Sequence, residues 1–149
     1  MFTRFRATPE TEFQPFAVEF EVANTADEVD AAHRDFPADK VRRLKLRGFL
    51  KKGAMRLVLP PTAIEQLGVP VRRQAFIRIK DGRREELDQA IGVRVSIQGR
   101  SGVFSAVIDP GRTDALIGVM VLEELDFIAD CITQSLVPRD PKQPIAEIE

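Results

Sequence analysis

Alternation of apolar and charged residues with a period of two recurs along this chain, and it restricts the fold to one built mainly from short, half-buried strands. In residues 16–22, Phe16, Val18, Phe20 and Val22 fall on one face, while Glu19 and Glu21 fall on the other. The pattern returns in residues 41–50, with Leu44 and Leu46 facing inward and Arg43, Lys45 and Arg47 outward, until Gly48 interrupts it. Residues 76–80 repeat it, residues 91–97 and 103–108 read as two further strands, Arg56 to Leu59 as a short one, and Leu136-Val137 closes the domain. Turn chemistry separates these runs. Asp81-Gly82 is a strong hairpin dipeptide, and residues 98–102 join the next two strands as a second hairpin.

Helical signals are fewer. Pro61 suits the first turn of a helix that stops at Gly68. Residues 118–127 place Val121, Leu122 and Leu125 on one face and Glu123, Glu124 and Asp126 on the other. Residues 24–39 form a polar insertion with one or two helical turns between Ala26 and Arg34, ended by Phe36-Pro37. The expected class is therefore mainly β, with one or two short helices. Residues 1–15 read as an N-terminal tail or strand, 16–138 as the domain, and the proline-containing 139–149 as a C-terminal tail. At 149 residues and 44% hydrophobic content, the chain suffices for one core.

Composition narrows the chemistry. The one cysteine, Cys131, admits no intrachain disulfide and reads as a small apolar residue in a reducing, cytoplasmic setting. No apolar run reaches the roughly 20 residues of a membrane span, and residues 1–6 lack the hydrophobic core of a secretory signal. His33, the only histidine, sits beside Arg34 and Asp35 and has no supporting cast for a metal site or a Ser-His-Asp triad. With neither a phosphate-binding Gly-rich loop nor a Cys-x-x-Cys pair, no metal or cofactor is expected.

A net charge of -1 conceals a segregation: residues 40–84 carry 14 Lys or Arg against only Glu65 and Asp81. Strands leave such residues on their solvated faces, and acidic flanks attract a basic middle within the fold or across a dimer. The alternative is a nucleic-acid-binding module using this basic segment through phosphate contacts. Its stacking platform is poor, because Phe49 and Phe76 are the only aromatic residues there.

The most informative stretch is Leu50-Lys51-Lys52-Gly53-Ala54, followed by an apolar run and Pro60. After it come residues 60–69 with a Leu67-Gly68 ending, Lys80-Asp81-Gly82-Arg83, and Ala115-Leu116-Ile117-Gly118 ahead of a short helix. In this order, over residues 16–138, the chain resembles the bacterial retropepsin-like (clan AA) aspartic proteases. Their catalytic turn reads hydrophobic, Asp, Ser or Thr, Gly, Ala. The resemblance implies a closed β-barrel, a homodimer with one catalytic turn per subunit, a hairpin flap at Asp81 and Gly82, and a peptide or protein ligand. Lys51, Lys52 and Gly53 then occupy the catalytic turn, and Ala54, Asp81 and Gly82 the substrate-binding positions.

Lys51 stands where the resemblance expects Asp. In an aspartic protease two carboxylates about 3 Å apart share a proton, one acting as base on water and the other as acid. An ammonium, protonated at neutral pH unless strongly desolvated, cannot activate water in that way. Two Lys51 side chains at a dimer axis would repel by about 4 kcal/mol at roughly 4 Å and an effective dielectric constant near 20. Lys52 removes the hydroxyl that, by resemblance, supports the turn. A nucleophilic Lys51 would require a desolvated pocket. Asp109-Pro110-Gly111 superficially copies the missing motif, but its place before Gly118 is that of a Pro-Gly loop turn. The expected protein is a degenerate or substitution-inactivated aspartic protease domain with a residual binding cleft.

Overall fold

The computed structural model describes residues 4–8, 13–33 and 36–148. Its strands are β1 (Phe5–Arg6), β2 (Phe16–Asn24), β3 (Arg43–Leu50), β4 (Val58–Leu59), β5 (Val71–Lys80), β6 (Arg83–Ile97), β7 (Arg100–Ile108), β8 (Ala115–Ile117), β9 (Phe127–Asp130) and β10 (Ser135–Pro138). Three α-helices punctuate them: α1 (Thr25–His33), α2 (Pro61–Leu67) and α3 (Val119–Leu125). The class is mainly β, as the alternation requires.

The larger sheet has the order β2-β3-β8-β4-β7-β6-β5 and returns on itself through an added β2–β6 pairing. β2 makes this closure possible by pairing along both edges. Residues Phe16 to Ala23 run antiparallel to β3, and Glu21 to Asn24 run antiparallel to β6. Its inward residues Phe16, Phe20 and Val22 are buried with Leu50, Val95, Ile117 and Leu122 in a single core. β5 hangs on the outer edge as half of a long hairpin with β6.

Two segments are more ordered than the sequence reading allowed. The polar insertion contains the nine-residue α1. The Asn24 side chain caps it by accepting the Asp27 N–H at 3.0 Å, and donates to the Leu67 carbonyl at 2.8 Å. The acids of α1 then meet the basic segment. Asp27 accepts two side-chain hydrogen bonds from Arg42, which hold its carboxyl below the usual range, and Glu28 accepts from Arg94 at 2.6 Å.

The second correction is Asp126, assigned by periodicity to the polar face of α3 but fully buried. It ends the helix in the left-handed conformation, φ 61°, so its side chain leaves the solvent face. Arg4 and Arg139 donate to one of its oxygens at 2.7 and 2.8 Å, and the Ile145 N–H donates to the other at 2.8 Å. Residues 141–148 are exposed, in keeping with their composition, yet they are anchored at this carboxylate. β1 joins through Arg4 and by pairing parallel to β9 in a second, three-stranded sheet.

Burial pushes the Asp126 carboxyl upward, but the Ile145 N–H, Arg4 and Arg139 outweigh it and bring it from 3.8 down to about 2. A carboxyl lowered in the folded state stabilises the fold above its unfolded value and loses that contribution as pH falls through the folded value. Asp126→Asn should therefore lower stability at neutral pH by about 3 kcal/mol, because two guanidinium groups lose their counter-charge. In urea titrations the deficit should shrink as pH falls from about 4 toward about 2.

Candidate functional site

β3 delivers the chain to the turn. Leu50 is buried, paired with Phe16 on one side and Ile117 on the other. The backbone then reverses, with the Ala54 N–H donating to the Lys51 carbonyl at 3.2 Å and Gly53 at φ 94°. Gly53 supplies a conformation that side chains disfavour.

What fixes the turn lies 60-odd residues further on in the chain, at the start of α3. The Val119 N–H donates to the Ala54 carbonyl at 2.8 Å and the Met120 N–H to the Met55 carbonyl at 3.0 Å. This approach requires glycine at 118: a Cβ there would lie 2.3 Å from the Met55 carbonyl carbon and 2.4 Å from the Arg56 nitrogen. The Leu-Ile-Gly motif thus has a steric reason. Beyond the clamp Leu57 is buried, and its carbonyl accepts from the Val107 N–H at 2.9 Å.

Lys51, Lys52 and Gly53 are exposed, Ala54 is half-buried, and Lys51, Lys52 and Gly53 line an open depression of about 420 Å³ with Phe13 and Pro15. Neither lysine's side chain has a hydrogen bond or ion pair among the described residues. Exposure removes the desolvated pocket that a nucleophilic Lys51 would need. Asp81 and Gly82 lie outside this depression, at the tip of the β5–β6 hairpin. Their φ angles of 51° and 73° fit a two-residue turn of the primed type, as the dipeptide predicts.

Sequence reasoning missed what holds that hairpin. Arg78 of β5 donates to both oxygens of Asp109 at 2.7 and 3.2 Å, and twice to Glu85 Oε2 at 2.8 and 2.6 Å. Arg56 adds a second tie, its guanidinium 4.7 Å from the centroid of the Phe76 ring. Asp109 is therefore a tether. Arg78 above all, with the Gly111 N–H, holds its carboxyl below the usual range, which does not suit it to carry a shared proton. The loop-turn reading of Asp109-Pro110-Gly111 agrees with these contacts.

The remaining residues singled out by sequence are peripheral. His33 is exposed at the end of α1, and its neighbours Arg34 and Asp35 fall outside the described residues. Cys131 is half-buried, its sulfur 3.0 Å from the Gln14 nitrogen. Among the described residues no three His, Cys, Asp or Glu side chains are grouped to hold a metal. No described helix is long and apolar enough to cross a membrane.

No protein-family model and no curated protein matches this chain. Solved structures do. The retroviral protease-like domain of Ddi1 from Leishmania major aligns with a TM-score of 0.54 and 15% identity, over 92% of this chain and 94% of that one. Two others are a retropepsin-like aspartic protease from Rickettsia conorii (TM-score 0.47, 16% identity, 85% and 93% covered) and EIAV protease complexed with the inhibitor HBY-793 (0.46, 14%, 88% and 98%). The chain has a retropepsin-like fold.

The Gly118 clamp yields a stability test. Gly118→Ala forces a methyl group into backbone that cannot swing aside, so its urea midpoint should fall by the equivalent of about 3 kcal/mol. Lys52→Ala, at an exposed position of the same turn, should shift stability by no more than about 0.5 kcal/mol.

Proposed function

We propose that this chain is a retropepsin-like domain whose aspartic-protease chemistry is lost at Lys51-Lys52, and whose former cleft serves to bind a peptide or protein. One observation carries the reading. The turn keeps its architecture, clamped by Gly118 and closed by Gly53, while its two chemistry-bearing side chains are exposed ammonium groups. A carboxylate pair is the working part of an aspartic protease, and the depression at this turn is lined by no carboxylate among the described residues. The parent activity would be that of an aspartic endopeptidase.

The same reading bears on assembly. A homodimer of the family kind would bring two Lys51 groups toward one axis, so repulsion weakens it. The single cysteine supports a reducing, cytoplasmic setting. The nucleic-acid alternative draws little support, since Arg42, Arg43, Arg73 and Arg78 of the basic segment are engaged with Asp27, Glu28, Asp88 and Asp109.

The test sets this chain beside a Lys51→Asp, Lys52→Thr variant, with solution mass and peptide-library cleavage followed at acidic and neutral pH. The unaltered chain should cleave nothing. The variant should dimerise more strongly and gain cleavage. Cleavage by the unaltered chain that disappears in Asp109→Asn would overturn the proposal.

A further inference from the structure

We infer that the Lys51-Lys52 turn captures carboxylates, so that the ligand of this site is an acidic peptide with an apolar residue beside its acid; this rests on the reading of the turn as a binding site.

The argument begins with how the fold uses its cations. Arg4, Arg6, Arg42, Arg43, Arg73, Arg78, Arg94 and Arg139 each meet a carboxylate within ion-pair distance. The pairs of Arg4, Arg6, Arg78 and Arg94 tie together elements far apart in sequence, and the others join nearer segments of the fold. Lys51 and Lys52 take no part in them. They lie consecutively on a turn held at both ends by main-chain hydrogen bonds, and both line one depression. Two ammonium groups on one small concavity raise the local potential, and an anion seated there relieves their repulsion.

The remaining walls specify the rest of the ligand. Phe13 and Pro15 offer apolar surface next to the lysines, and Phe13 is fixed by ring contacts to Phe5 and Phe16 at 5.1 and 5.9 Å. A Cβ placed on Gly53 would meet nothing within 4 Å, so a ligand backbone has room to approach the turn. A carboxylate for the lysines and an aliphatic neighbour for the Phe13 wall describe an acidic, partly apolar peptide. A nucleic acid requires a continuous cationic track, and four arginines of the basic segment are already spent in ion pairs.

Fluorescence anisotropy tests this with the full chain and three labelled probes: a peptide of alternating Ile and Glu, its counterpart with Gln for every Glu, and a single-stranded oligothymidylate. The Glu peptide should bind at least about tenfold more tightly than the Gln peptide, with affinity falling as salt is raised. Lys51→Gln with Lys52→Gln should weaken it by roughly tenfold while leaving the unfolding midpoint unchanged, and Lys142→Gln on the exposed tail should leave binding as it was. Equal binding of the two peptides, indifferent to the lysine substitutions, would overturn the carboxylate inference and leave the peptide-binding cleft standing. Binding of neither peptide would overturn both. Tighter binding of oligothymidylate, displacing the Glu peptide, would overturn the inference in favour of nucleic acid.

Discussion

Two main-chain hydrogen bonds across Gly118 hold the turn at residues 51–54 in place. The Val119 and Met120 N–H groups reach the Ala54 and Met55 carbonyls only because residue 118 has no side chain to keep the segments apart. A loop entering a crowded crossing would otherwise expose unpaired backbone groups to burial, which costs more than the hydrogen bonds contribute. The clamp acts on backbone atoms and is indifferent to the identity of residues 51 and 52. That indifference explains how the turn accommodates two exposed lysines.

The charge distribution has a similar division. Arginines are drawn into the structure, where planar guanidinium groups meet Asp27, Asp109 and Asp126 with two or more hydrogen bonds or in shared networks. Lysines stay at the surface. Of the fourteen Lys and Arg residues in the basic segment 40–84, Arg42, Arg43, Arg73 and Arg78 thus find counter-charges in acids of α1, β6 and the β7–β8 loop. The lysine turn is left as a cationic feature without a structural occupation.

Much of this was legible before any coordinates. Period-two alternation located β2, Asp81-Gly82 located the hairpin tip, and Pro61 with Gly68 bounded α2, because each depends on residues within a few positions of one another. Asp126 was misplaced for the opposite reason: its partner Arg4 is 122 residues away. A local signal existed, since an Asp between Leu125 and Phe127 at a helix end suits a left-handed cap, but helical periodicity extended one residue too far and masked it. The tether between Arg78 and Asp109 had no comparable signal, because a salt bridge across a sheet leaves no spacing to read.

The sequence by itself determined the mainly β class, the order of the motifs and the presence of two adjacent lysines ahead of Gly53. These are properties of local pattern and side-chain chemistry, and they are carried by the chain whatever its packing. Only the tertiary structure decided that Asp109 is a tether, that Asp126 gathers both ends of the chain, and that the lysines remain unpaired. Whether a charge is spent or available depends on which distant groups folding brings within about 4 Å, and that distance is set by the closure of the sheet around β2.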